Sequence, residues 1–574
     1  MNETYIISDY SDLINNVIKE LNITEEQIIS FEQNNENHEI HDWITQIFKD
    51  NKIDKLIIPV SLPITEAINT VGIKLALHIR LNYELKICQR SIPIIFLSDF
   101  NIETILSDFN FDNEYNSHDL LFTKGVRLSS FDLEEINNTL NKIESCSKEE
   151  YHTHILNKLN IHKEVNIGNH SIANAWGCVK LAQVTGLRDE IFNNEAISKQ
   201  LKSLYVKYLI CNNDIDLHNN APKKDFIECT GKKILFIDDQ ADEGWSVLMK
   251  NIFKSAGEGF ISVDSSKYKN KETKLFFNYN GFKDECCTHI GKDWDLIIID
   301  LRLYPEKEDI DNETIRPTEF SGYNLIEQFL DENKGNQIIV FTASNKVWNI
   351  SFALNRGASS FYIKESPEYN YKFKETKEQF KKFKDDVNKC FKKKYLRDIY
   401  KEIKLLKLDL ELLKSNLKLS NHDEKFIDVI INQLDISYSL LHSANSEEQF
   451  AYSYVSLCLI IEIIINNFVK SENNKWRISD SEILLDWKWT NEKYLNTKTE
   501  VKETIPNYQK FAGIYFQKWK KSDTKFVKII QDLIQERNYF IHKNKKFNLD
   551  KSEIGKPDGF VKLFNYIKEI ISYL

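Results

Sequence analysis

The sequence predicts two α/β units built on parallel sheets, followed by a helical bundle. Three observations carry this prediction. Short apolar, β-branched runs alternate with helical patterns in two separate series. The strand pattern then disappears near Ser366, and the charge changes sign at about the same place. Residues 1–364 carry a formal charge of −17 and residues 365–574 carry +7.

The first series of strands is read at Tyr5–Asp9, Lys55–Val60, Ile92–Leu97 and Leu120–Thr123, with a helical pattern over Ile64–Leu81. Continuous apolar strands separated by helices are buried on both faces, as in parallel sheets. These elements define an α/β unit over 1–130. Residues 131–225 read as a helical connecting region whose run His170–Ala182 suggests no chemistry. The second series, Lys233–Ile237, Leu296–Ile299, Gln337–Phe341 and Ser360–Ile363, defines a unit over 226–370. Residues 371–420 read as a long amphipathic linker helix, with Ile403, Leu406, Leu410, Leu413 and Leu417 at helical spacing. Helices at about 422–443, 447–470, 505–519, 524–541 and 557–573 make 421–574 an all-α domain.

Composition agrees with several folding units. The chain has 574 residues, 28 % of them charged and 42 % hydrophobic, which excludes a disordered or fibrous chain. Nine cysteines without a CxxC pair read as reduced thiols of a cytoplasmic protein. Cys286-Cys287-Thr288-His289 lacks the second ligand pair of a zinc site. Val455–Ile465, the most apolar stretch, is interrupted by Glu462 and is too short to span a bilayer. The first residues lack the basic and apolar regions of a signal peptide. No P-loop, GxSxG or Rossmann glycine pattern occurs.

The second α/β unit places polar residues where its strands end, the position at which open α/β sheets bind ligands. They are Asp238-Asp239, Asp300, Thr342 and Lys364. Three converging carboxylates repel one another unless a hard divalent cation such as Mg²⁺ lies between them. One carboxylate is then a nucleophile toward phosphorus, and the hydroxyl and ammonium stabilise phosphoryl oxygens. This arrangement resembles the receiver domain of two-component response regulators, a flavodoxin-like fold. The resemblance implies Asp300 as phospho-acceptor and Asp238, Asp239, Asp300 and the Arg302 carbonyl as Mg²⁺ ligands. It further implies Thr342 and Lys364 as phosphoryl sensors, Phe361 as the switch aromatic, and a histidine kinase or other phosphodonor as partner. Two departures stand out: the long segment Tyr304–Phe320 after Asp300, and Glu365 in place of the usual proline after Lys364.

The first unit reads as a degenerate copy. Asp9, Ser98 and Lys124 match the acid, hydroxyl and lysine, but Ile58-Pro59-Val60-Ser61-Leu62 offers no acceptor carboxylate. An unrelated flavodoxin-like domain accounts for this unit equally well.

Near the C-terminus, Glu536-Arg-Asn-Tyr-Phe-Ile-His542 lies in a helical pattern. Histidine exchanges protons near neutrality and arginine holds a phosphate, which suffices for metal-independent RNA cleavage by a neighbouring 2′-hydroxyl. Arg537, Asn538 and His542 resemble the Arg-x4-His motif of HEPN ribonucleases. That resemblance implies RNA, tRNA included, as substrate, pairing of two chains through the helical region, and a role in stress or anti-phage defence. Glu462, on an earlier apolar helix, is placed to orient the pair. The expectation is therefore a receiver that controls a HEPN-type ribonuclease; the alternative is a non-catalytic scaffold that dimerises or docks a partner through its helical end.

Overall fold

The computed structural model describes residues 3–31, 36–64, 69–107, 118–162, 169–213, 223–270, 275–303, 320–344, 347–367, 371–416, 421–472, 475–478, 482–490, 493–500, 505–542, 548–549 and 552–574. The chain divides into two compact units. One contains Met1–Ile326 and Ile338–Asn388, the other Glu327–Gln337 and Lys389–Leu574.

The first unit holds two parallel five-stranded sheets of one topology. Strands β1 (Thr4–Ser8), β2 (Ile28–Ser30), β3 (Lys55–Pro59), β4 (Ile94–Leu97) and β5 (Val126–Ser129) lie in the order β2-β1-β3-β4-β5. Strands β6 (Ile234–Ile237), β7 (Phe260–Ser262), β8 (Leu296–Ile299), β9 (Ile338–Thr342) and β10 (Ser360–Ile363) lie in the equivalent order, β7-β6-β8-β9-β10. Central strands β6, β8 and β9 are buried along their whole length, which is why they read as unbroken apolar runs. The edge strands β2 and β7 are three residues long and partly exposed, so no apolar run announced them.

One predicted strand is displaced. Residues His118–Phe122 form a 3₁₀ turn that buries Leu120 and Leu121, and the fifth strand begins four residues later, at Val126. Gly125, at φ +79°, turns the chain into that strand. The apolar pair recorded burial, which a turn satisfies as well as a strand.

The connecting region completes the first sheet and then bridges both. Ile136, on helix Leu133–Lys142, packs with Ile6, Ile57 and Ile95 of the first sheet. Helix Asn169–Thr185 buries Ala175, Cys178, Val179, Leu181 and Ala182 around its circumference and lies against the second sheet's unit. Helix Leu204–Asn212 lies against the first, where Lys207 Nζ stands 2.9 Å from His78 Nδ1 and Arg90 Nη1 donates to Cys211 Sγ at 3.2 Å.

The single linker helix expected over 371–420 is two helices, Phe373–Lys392 and Tyr395–Asn416, and its last residues lie outside those described. The first of them belongs with β10: Ser360 Oγ donates to Asp386 at 2.6 Å, Gln379 Nε2 donates to the Ile363 carbonyl at 3.0 Å, and Tyr362 packs on Phe383.

The C-terminal unit is mainly helical, with Tyr395–Asn416, Asn421–Ser443, Glu447–Phe468, Thr524–Ile541 and Pro557–Ile571 sharing one apolar core. The all-α expectation needs one correction. Strands β11 (Val469–Glu472), β12 (Lys475–Ile478) and β13 (Glu482–Ile483) pair antiparallel, as do β14 (Leu485–Thr490) and β15 (Lys493–Glu500). Leu485-Asp-Trp-Lys-Trp-Thr490 alternates apolar and polar residues with period two, a pattern distinct from the continuous runs of buried parallel strands. Helix Glu447–Phe468 is long and apolar enough to cross a bilayer by length and composition. It buries Ala451, Leu457, Ile460, Ile461, Ile464 and Ile465 in the protein core instead.

Candidate functional site: an acidic pocket and its degenerate twin

Parallel pairing brings the ends of β6 and β8 side by side. Ile237 is opposite Ile299, so Asp238 and Asp300 are neighbours, and the Asp300 amide donates to the Ile237 carbonyl at 2.9 Å. One carboxylate oxygen from each of Asp238, Asp239 and Asp300 lies within 4.8 Å of the others. From the other side of the sheet, Lys364 reaches in. Its amide donates to the Thr342 carbonyl at 2.8 Å, and its Nζ stands 2.7 Å from Oδ2 of both Asp238 and Asp300.

The pocket is largely buried and its charges are unbalanced. Asp238 and Lys364 are buried, and Asp300 is only 7 % exposed. One ammonium faces three carboxylates. Burial pushes the carboxyl of Asp238 up, and Asp300 adds to this while Lys364 opposes it. Burial, then Asp238 and Asp300, push Asp239 further up. Burial alone would lower the Lys364 ammonium, but Asp238 and Asp300 hold it above its ordinary range. Three hard oxygen donors with excess negative charge fit a hard divalent cation. Asp300 Oδ1 also accepts from the Leu301 amide at 2.6 Å, and Thr342 Oγ1 accepts from the Ser344 amide at 3.1 Å.

Of the other residues named from the sequence, Phe361 lies on β10 with the Lys382 ammonium 4.7 Å over its ring. The Arg302 side chain is exposed and its guanidinium covers the Phe320 ring at 5.0 Å. Residues 304–319, the long segment after Asp300, lie outside those described. Glu365 is buried, with Lys180 Nζ at 4.0 Å.

Sequence reasoning missed three neighbours of the pocket. Trp245 and Phe341 each present a ring 5.4 Å from Lys364 Nζ. Lys269 is buried 2.8 Å from Asp242 and 3.8 Å from Glu243. The acidic run Asp238–Glu243 signals a need for cations, but Lys269 arrives from 26 residues beyond it in the chain.

The first sheet reproduces this pocket position by position without its chemistry. A Cβ at Gly322 would lie 2.1 Å from the Asp300 carbonyl oxygen, and one at Gly72 would lie 1.9 Å from that of Pro59. Each glycine amide also donates to the next residue's carbonyl, Gly322 to Leu301 and Gly72 to Val60. Pro59 thus stands where Asp300 stands. Strand register then aligns Ser8 with Asp238 and Asp9 with Asp239. Ser8 Oγ accepts from the amide two residues on at 2.9 Å, as Asp238 Oδ1 does. Ser98 matches Thr342, accepting from the Phe100 amide at 3.1 Å. Continuing β5 by register puts Phe131 in the place of Lys364.

Lys124 does not join this site. It precedes β5, at the opposite end of the sheet, and pairs with Glu150 at 2.6 Å. Its predicted place followed from the displaced strand. Asp9 accepts from backbone amides, Ile64 at 2.7 Å and Ser11 at 3.0 Å. Burial opposes ionisation there, but these amides hold its carboxyl below the usual range.

In the C-terminal unit, Arg537 Nη1 lies 2.8 Å from Glu462 Oε1 and donates to Asn538 Oδ1 at 2.9 Å. Asn507 Nδ2 donates to the same Glu462 oxygen at 3.0 Å. The structure therefore joins Arg537, Asn538 and Glu462. His542 is the exposed residue that ends helix Thr524–Ile541, its amide donating to the Asn538 carbonyl at 3.0 Å.

Comparison with known families matches residues 6–129 to iREC, the inactive receiver domain. No curated protein matches the chain. The match falls on the first sheet, in which Pro59 stands where Asp300 stands in the second, so residues 6–129 are similar to an inactive receiver, and the same strand topology recurs in the second sheet.

Proposed function

We propose that the chain is a response-regulator-like signalling protein in which the second sheet's pocket accepts a phosphoryl group on Asp300. The observation that carries this reading is the convergence of Asp238, Asp239, Asp300 and Lys364 at the strand ends. A Mg²⁺ ion held by the three aspartates would offset their repulsion and the charge of the phosphoryl oxygens. An Asp300 carboxylate oxygen forms the new bond to phosphorus. The donor's bond to phosphorus breaks, and the leaving group keeps the electron pair. Lys364 then exchanges its carboxylate partner for a phosphoryl oxygen, and Thr342 offers its hydroxyl to another. The burial of Asp300, Asp238 and Lys364 would limit access of water to the acyl phosphate. The test is incubation with Mg²⁺ and a labelled small acyl phosphate. Wild type should take up label and Asp300→Asn none; an unlabelled wild type ends this reading.

The output we propose is RNA cleavage by the C-terminal unit. His542 would take the proton of a ribose 2′-hydroxyl as that oxygen attacks the adjacent phosphorus. The bond to the 5′-oxygen breaks, a 2′,3′-cyclic phosphate forms, and the proton passes to the leaving oxygen. Arg537, oriented by Glu462, would neutralise the phosphate. Cleavage by wild type and its loss in His542→Ala is the expected result; equal cleavage by both removes His542 from the mechanism. A second reading has its own support. Arg537 is already engaged with Glu462 and Asn538, which fastens two helices together and suits a scaffold that pairs two chains or docks a partner. That reading predicts a phosphorylation-dependent change of mass in solution with no cleavage of RNA.

A further inference from the structure

Helix Asn169–Thr185 meets the residues around Lys364 at three successive turns. At the first, Asn174 Oδ1, on a buried side chain, accepts from Trp245 Nε1 at 3.1 Å, and the Trp245 ring lies 5.4 Å from Lys364 Nζ. At the second, a Cβ on Gly177 would lie 3.0 Å from the Trp245 ring and 3.1 Å from the Glu365 carbonyl oxygen. The helix backbone is therefore seated directly on the residue after Lys364. At the third, buried Lys180 donates to the Tyr371 carbonyl at 2.7 Å and stands 4.0 Å from Glu365 Oε2.

The same connecting region grips the degenerate unit. Buried Lys207 lies 2.9 Å from His78 Nδ1 and 3.2 Å from the His78 carbonyl oxygen, on helix Val71–Arg80. That helix begins at the Gly72–Pro59 contact, the degenerate unit's counterpart of Gly322–Asp300.

We propose that helix Asn169–Thr185 is an output element of the acidic pocket, reading Lys364 through Trp245 and Asn174, reading Glu365 through Lys180, and passing the change to the degenerate unit. The proposal rests on the reading that Asp300 takes up a phosphoryl group. A phosphoryl oxygen competes with Asp238 and Asp300 for the Lys364 ammonium. Trp245 fills the space beside that ammonium, and a close-packed interior transmits such a shift instead of absorbing it. Trp245, Asn174 and Lys180 are positioning residues in this scheme, and none of them touches the reacting atoms.

Hydrogen exchange on the full chain tests this, comparing Mg²⁺ alone with Mg²⁺ plus beryllium fluoride, a tetrahedral mimic of a bound phosphoryl group. The expected result is slowed exchange around Asp238 and Asp300 together with an exchange change of about twofold or more in 169–185 and 204–212. Trp245→Phe, which keeps a ring but loses the donor, should retain the response at the pocket and lose it in the helix; Asn174→Ala should do the same from the other side of the bond. A wild-type pocket that responds while 169–185 does not overturns the proposal, as does a Trp245→Phe chain that transmits like wild type. A wild-type pocket that fails to respond overturns the phosphoryl reading and this proposal with it.

Discussion

The two sheets of the first unit have the same strand order, the same glycine seated on the third strand's end and the same hydroxyl turn after the fourth. At the strand ends three of five positions differ in chemistry. Asp238, Asp239, Asp300, Thr342 and Lys364 in one correspond to Ser8, Asp9, Pro59, Ser98 and Phe131 in the other. The difference separates what the fold needs from what the chemistry needs. Close backbone approach and amide capping survive in both, because losing them costs stability. The clustering of three carboxylates, two of them buried, with a buried lysine survives in one only, because it costs stability unless a ligand makes use of it.

Moving the acceptor challenges this pairing of sites most strongly. Asp300→Asn should abolish phosphoryl uptake, and Pro59→Asp in that background should not restore it, since Phe131 offers no cation; label on the Asp300→Asn, Pro59→Asp chain would show that the twin site retains function. Next, Lys364→Ala leaves Asp238 and Asp300 buried without their cation. It should cost about 3–5 kcal/mol in denaturant unfolding, and millimolar Mg²⁺ should recover much of the loss. An unchanged midpoint without Mg²⁺ would mean that the pocket is wetter than its burial indicates.

The degenerate unit carries a different electrostatic burden. Burial, then Lys207, holds His41 down at about 4, and the same two causes hold His78 well below its ordinary value. Both imidazoles are therefore neutral when folded and protonate on unfolding below about pH 6.5. Their contribution to stability is fully present above that pH and is lost as the pH falls from 6.5, for His41 until about 4. For His41 the loss amounts to about 3 kcal/mol, read as the pH dependence of the unfolding midpoint, and His41→Gln should flatten that slope. The smallest effect is shared by both sheets. Gly72→Ala and Gly322→Ala should each cost about 1–3 kcal/mol, because each new Cβ would press on a backbone oxygen. A large cost in one and none in the other would break the equivalence of Pro59 and Asp300.

The acidic pocket is legible in the amino-acid sequence because its parts are local: a polar residue directly after a continuous apolar run marks the end of a buried parallel strand. The same rule fails at Leu120–Thr123, where the apolar pair belongs to a 3₁₀ turn, and Lys124 is misplaced with it. β2 and β7 are too short and too exposed to leave a pattern. Trp245 and Lys269 carry no mark of their role, since each reaches the pocket through packing and not through sequence spacing.

Which strands of the second sheet end in charge, and the lack of any acceptor in Ile58–Leu62, follow from sequence alone, because strand burial and side-chain chemistry are properties of a few consecutive residues. Tertiary packing was needed to establish that Pro59 is the counterpart of Asp300, that Lys124 lies at the wrong end of its sheet, and that helix Asn169–Thr185 rests on Trp245 and Glu365. Those facts depend on strand register and on contacts between residues far apart in the chain, such as Lys180 with Tyr371. Pairing over such distances is settled by how whole faces pack.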